Sequence, residues 1–151
     1  MAFVEIALDD KLFKAELRAY EKQFQDFTPL LSELGSQTYV LWRNIFKAEG
    51  PGWAPLSDKT LARRRKKGRG AKILRDEGRL FNSLISQFGE GAVYKLEKRT
   101  LTAGTNLPYA AVHQYGSKEK NIPRRPILPS EKQLSPMIQR TLLRFLREAE
   151  K

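Results

Sequence analysis

AVYKLEKRTLTAGTNLPYAAVHQYG, residues 92–116, changes period part-way along, and that change decides the fold class. Ala92, Tyr94 and Leu96, then Leu101 and Ala103, recur at the period of two that half-buried strands require. Glu97-Lys98-Arg99 forms a polar break between the two runs, so the stretch predicts a β-hairpin. Gly104-Thr105-Asn106 then turns the chain, and Pro108 has the backbone angle suited to opening a helix. Tyr109, Ala110, Ala111, Val112, His113 and Gln114 continue that short helix until Gly116 stops it. A hairpin feeding a helix, set among longer amphipathic helices, gives an α+β class: a small antiparallel sheet with several helices in a single domain.

Toward the C-terminus, Ser117 to Pro129 is polar, basic and broken by prolines, which predicts an irregular loop. Ser130 with Gln133 is a capping-box pattern, and Ser135-Pro136 offers a second helix start. Ile138, Leu142, Phe145 and Leu146 would form the buried face of that last helix. Toward the N-terminus, Leu80, Leu84 and Phe88, flanked by Phe81 and Ile85, mark a helix ending at Gly89. Thr28 as cap with Pro29 opens a longer one that carries Leu31, Leu34, Thr38, Leu41, Trp42 and Ile45 and ends at Gly50-Pro51-Gly52. Phe13, Leu17, Tyr20, Phe24 and Phe27 form an earlier stripe, capped by Asp9 and Asp10, and Val4, Ile6 and Leu8 alternate as a strand. The 151 residues thus divide into 1–50, a strand and two helices; 59–72, a basic mobile loop; and 73–151, a helix, hairpin, short helix, Pro-rich loop and C-terminal helix.

The net charge of +11 is concentrated. Lys59, Arg63, Arg64, Arg65, Lys66, Lys67, Arg69, Lys72 and Arg75 occur with no acid among them beyond Lys59, and the rest of the chain is close to neutral. Such a run attracts DNA, RNA, anionic lipid or an acidic protein surface. It lacks the interleaved aromatics that stack on bases, and Gly68 and Gly70 favour a loop over a rigid recognition helix. Ser57 is a candidate cap for a short helix running into it. The segment is read as a loop that orders on a partner or neighbouring subunit, with Arg63, Arg64, Arg65, Lys66, Lys67, Arg69 and Lys72 as contacts. Direct nucleic-acid contact is the alternative, and it implies affinity falling roughly a thousandfold between about 50 and 200 mM salt. Farther on, Pro123, Pro126 and Pro129 stiffen a loop carrying Arg124 and Arg125, which suits bidentate contacts to a neighbour's carboxylates.

Catalytic chemistry has little to stand on. Zero cysteines exclude a disulfide framework, a thiolate metal site and a cysteine nucleophile, and one histidine excludes a multi-histidine centre. His113 as a general base would need a nucleophile and an orienting group; Tyr109, Gln114 and Tyr115 provide neither. Asp9/Asp10, Asp76/Glu77 and Glu148/Glu150 sit at helix starts or on exposed faces, with no sign of the convergence a two-metal site demands. Gly68-Arg69-Gly70 and Gly89-Glu90-Gly91 lack the strand–loop–helix setting of a phosphate cradle. No enzyme, cofactor or metal is expected. The N-terminus has no basic leader, and no run nears the ~18 apolar residues that span a bilayer, so no membrane contact is expected either.

Two blocks, in order, carry a resemblance. The first is Trp53-Ala54-Pro55-Leu56-Ser57 with Thr60, then Ile73-Leu74-Arg75-Asp76-Glu77-Gly78-Arg79-Leu80 and Ser83. The second is Ala103-Gly104-Thr105-Asn106-Leu107-Pro108-Tyr109-Ala110-Ala111-Val112-His113-Gln114-Tyr115-Gly116, then Pro123-Arg124-Arg125-Pro126 and Leu128. Together, over Trp53 to Ser130, they resemble the phage virion morphogenesis family, the tail-completion proteins of tailed phages and Mu-like prophages. Glu77 stands where a threonine is commoner, and Tyr115 replaces a phenylalanine. The resemblance implies a non-enzymatic protein that completes the tail or joins it to the head. Its partners would be other tail or neck proteins and further copies of itself, in a closed oligomer or ring, working in the host cytoplasm and then in the virion. It also implies a structural role for Trp53, Leu56, Ser57, Leu74, Gly78, Leu80, Ser83, Gly104, Tyr109, Ala110, His113, Gln114, Gly116 and Pro126.

Overall fold

The computed structural model describes residues 10–148. Among them are six helices: α1 Asp10–Gln25, α2 Thr28–Lys47, α3 Asp58–Lys66, α4 Arg79–Ile85, α5 Pro108–Tyr115 and α6 Glu131–Glu148. Two strands, β1 Ala92–Leu96 and β2 Leu101–Thr105, pair antiparallel. The expected α+β class is what the structure shows. The strand expected over Val4–Leu8, with Asp9 as a cap, lies outside the described residues.

The hairpin follows the period-two reading. Ala92 faces Thr105, Tyr94 faces Ala103 and Leu96 faces Leu101, and the Glu97 N–H donates to Thr100 O to close the turn. Tyr94 stacks on Tyr39 of α2, with ring centroids 5.9 Å apart, which seats the hairpin on that helix.

Helix α2 is the organiser, packing against α6, α4 and both strands. Its Trp42, Ile45 and Phe46 join Trp53, Ile73, Leu74, Leu80, Leu84, Leu107, Ala110 and Ile127 in one buried cluster. Thr28 is not its cap: Phe27 holds that position, and Asp26 Oδ1 accepts from the Thr28 N–H at 2.8 Å. The cap has moved back one residue because Phe27 N donates to Lys98 O in the hairpin turn, pinning the chain before the helix begins.

Four further expectations are corrected. The run expected as a loop over 59–72 is helical to Lys66, since Ser57 Oγ accepts from the Thr60 N–H and no glycine occurs between Ser57 and Gly68. Helix α4 ends at Ile85, not Gly89: Ser86 takes an extended conformation and its hydroxyl accepts from the Phe88 N–H, so the backbone leaves the helix. Phe88 is therefore 88% exposed instead of buried. Helix α6 uses the first of its two starts, with Gln133 Oε1 accepting from both the Ser130 N–H and hydroxyl, and Pro136 lies inside it. Its inner face centres on Thr141, whose hydroxyl bonds to Gln37 of α2, while Ile138 is 42% exposed. On α1, Leu17 and Phe24 are also substantially exposed.

The turn after α2 depends on one glycine. Gly50 has φ +76°, and a Cβ there would lie 2.1 Å from the Trp53 indole. A side chain meets both the left-handed backbone penalty and overpacking against a core ring. Gly50→Ala is expected to lower unfolding free energy by about 2–4 kcal/mol in denaturant titration. A change below about 0.5 kcal/mol would show that Trp53 can move aside.

Candidate functional site

The proline-rich loop after α5 is held by side chains drawn from across the chain. Trp53 Nε1–H donates to Pro126 O at 2.8 Å, and Trp42 Nε1–H donates to Ile127 O at 3.0 Å. The Gln114 carbonyl oxygen accepts from Ile127 N at 2.8 Å and Leu128 N at 3.0 Å. Arg125 N donates to His113 O, and its guanidinium donates to Ala54 O and Pro55 O at 2.8 and 2.9 Å. Every one of these bonds links residues far apart in sequence to a segment with no regular structure of its own. Each such bond contributes about 1 kcal/mol net, more where the donor is charged, and each leaves an orphaned polar group if cut.

This latch forms one wall of a broad open groove of about 1290 Å³. Residues of α3, the segment Asp76–Leu80, and Tyr109 and His113 of α5 complete its lining. Arg64 lies at 6% exposure, with its guanidinium donating to Lys72 O at 2.7 Å and Gly70 O at 3.2 Å and reaching Asp76 at 3.4 Å. Arg69 meets Asp76 at 3.2 Å and Glu77 at 2.6 Å. Desolvation is the largest single influence on its guanidinium and pulls it down, but the bonds and charges of Glu77 and Asp76 together hold it above its ordinary value. Arg75 lies over the Phe81 ring at 3.8 Å. The turn these contacts close includes Leu74, buried with φ +56°, a conformation costing an ordinary side chain about 1–2 kcal/mol that its packing offsets.

The residues singled out from sequence fall into three groups. Arg64 and Arg125 differ from their reading as surface contacts: both are buried and spend their donors inside the chain. Arg69 is ion-paired to Asp76 and Glu77. Arg63, Arg65, Lys66, Lys67, Lys72 and Arg124 remain exposed. The motif residues are mostly framework. Ser57 caps α3, Leu56 is half-buried on the groove wall, and Leu80 and Ala110 are in the core. Gly78 precedes α4 with φ +81°, and the Ser83 hydroxyl bonds to Leu80 O and Thr105 Oγ1. Gly104 lies opposite Val93 in the hairpin, and Gly116, φ +77°, admits the Arg124 backbone where a Cβ would come within 3.0 Å. Sequence reading missed the Trp42 bond to Ile127, since an indole on an apolar stripe gives no hint of its acceptor. It also missed Lys118 and Lys120, which line the groove from the loop.

Among the described residues no group of His, Asp and Glu could hold a metal ion, and no helix is long and apolar enough to cross a membrane.

The sequence profile of the phage virion morphogenesis family matches residues 8–147. The chain belongs to that family. The match reaches well beyond the two motif blocks, taking in nearly all of α1, α2 and α6. A relative, the uncharacterized protein MJ0331 of Methanocaldococcus jannaschii, is 37% identical over 78 residues, 50% of this chain and 53% of that protein. The chain thus matches about half the length of that relative. No solved structure matches it. Residues of the two sequence blocks converge on the latch and groove, within the stretch that the family profile matches.

Burial, and secondarily the Arg125 charge, pushes the His113 imidazole below its ordinary 6.5. The folded state therefore prefers the neutral ring, so stability is complete above the unfolded value and declines as pH falls through it. His113 is the one histidine in the chain. Thermal stability is expected to drop between about pH 7.5 and 5.5, and His113→Gln to flatten that drop. Gln114→Leu, which orphans two backbone N–H groups, is expected to cost about 2–4 kcal/mol in urea unfolding with the m-value unchanged.

Proposed function

We propose that this protein is a non-enzymatic virion assembly factor that acts in tail completion or head–tail joining by binding other virion proteins. The observation that carries the reading is the family match over residues 8–147. The structure supports it in a second way. The motif residues are spent on holding a loop and shaping a groove, with polar groups turned inward to backbone carbonyls and amides. A reactive centre needs the opposite: a nucleophile and base within reach of each other and of solvent.

In this reading the protein works as a closed homo-oligomer, since one chain repeating the same contact around an axis satisfies its own surface. The exposed cations at the C-terminal end of α3, Arg65, Lys66 and the following Lys67, favour the second reading, contact with nucleic acid, because they form a local patch with no acid between them. The assembly reading is preferred because Arg64, Arg69 and Arg75 are engaged within the chain, which removes a third of the basic run from any phosphate track.

The test is a knockout of the encoding gene in its own phage, with particles counted by electron microscopy. Heads and unfinished or unattached tails, restored to whole particles by the gene supplied in trans, are the expected outcome. Whole infectious particles from the knockout would overturn the reading. Salt-sensitive DNA binding by the purified chain, lost with Arg65→Glu and Lys66→Glu together, would favour the second one.

A further inference from the structure

The groove is too large and too open for a small ligand. Its roughly 1290 Å³ exceeds the ~300–1,000 Å³ typical of enclosed small-molecule pockets. Its charge is also uneven. Arg63 lines it from α3, and Lys118, Lys120 and Arg124 line it from the loop after α5. None of the four makes an ion pair among the described residues, and Arg124 makes one side-chain bond, a 3.3 Å contact to Gln114 O. The acids on the same surface, Asp76 and Glu77, are already matched by Arg64 and Arg69. Four cations that line the groove are therefore left without an anion. Tyr109 and Tyr115 line the same groove, 38% and 73% exposed, large rings of the kind that anchor protein interfaces.

We infer that this groove receives an extended acidic segment of another virion protein, its carboxylates on the four cations and an apolar side chain against the tyrosines. The inference rests on the assembly reading and names the chemistry of the partner. Arg63 and Arg124 offer planar donor forks that match carboxylates, and Lys118 and Lys120 supply point charges at the rim. A nucleic-acid strand fits less well. It presents a phosphate at every step and favours an unbroken cationic track, whereas Asp76 and Glu77 interrupt this one.

The probe is a fluorescein-labelled peptide of alternating Glu and Leu, with a Gln/Leu peptide and a labelled oligo-dT of equal length as controls, titrated against the full chain by anisotropy. The Glu/Leu peptide is expected to bind most tightly. Its Kd should rise about tenfold or more with Arg63→Glu, Lys120→Glu and Arg124→Glu together, and less than about threefold with Arg65→Glu, Lys66→Glu and Lys67→Glu, exposed positions that do not line the groove. Unchanged thermal melting confirms the fold. Should the first set fail to fold, Lys120→Glu with Arg124→Glu, both on exposed loop positions, must reproduce the loss. Equal losses from both sets would overturn the inference, because the attraction would then be diffuse. Tighter binding of oligo-dT, lost with the groove set, would overturn it in favour of nucleic acid. Light scattering that shows the groove cations needed for the chain's own oligomer would overturn it in favour of a second copy. In the phage, the groove set should block particle completion as the knockout does. Normal particles from the groove set, with the knockout still defective, would overturn the groove and leave the assembly reading standing.

Discussion

Two indole N–H groups, on Trp42 and Trp53, reach consecutive carbonyls of a proline-rich segment, Pro126 and Ile127. The proline-rich wall of the groove depends on that pair. Prolines at 123, 126 and 129 cannot donate to a sheet or helix, so the segment has few ways of its own to satisfy its backbone. The solution is to import partners: two tryptophans from α2 and the segment after it, an amide from α5, and a guanidinium that spans back to Ala54 and Pro55. Each tryptophan also contributes a large buried surface, so one side chain provides both packing and polar closure.

The same economy governs the charge. A run of nine basic residues invites an electrostatic account, and part of the run does remain on the surface. Yet Arg64 and Arg125 are among the most buried residues of the chain, surrounded by carbonyls and one carboxylate. A long flexible cation whose planar head offers five donors can close loops that lack regular structure, which a lysine cannot do in the same geometry. Burial and the nearby Arg64 charge pull the Arg125 guanidinium below its ordinary value, the cost of placing two such groups near each other. The carbonyls around them offset it.

Where periodicity is imposed by burial, sequence and structure agree. The hairpin, α2 and α5 each have one face against the core, so their apolar spacing reports their geometry directly. The ends of elements were less legible. Ser86 diverts α4 by a local side-chain bond that periodicity cannot register, and the cap of α2 is displaced by a contact to a turn seventy residues away. At the groove, the motif residues were visible but their purposes were not. Neighbours in sequence, Arg63 and Arg64, have opposite fates because they sit about 100° apart around α3: both border the groove, but Arg63 is exposed and Arg64 buried. Charge counts contain no such angle.

The solitary histidine has a practical corollary. His113 lines the groove with its ring 6.2 Å from that of Tyr109, and its backbone carbonyl holds Arg125. One imidazole per chain gives one pair of well-separated ring proton resonances in a magnetic-resonance spectrum, free of overlap and needing no assignment. Nature has thus placed an intrinsic spectroscopic reporter at the junction of latch and groove, where loosening of the proline segment and arrival of an occupant would each move the same two lines.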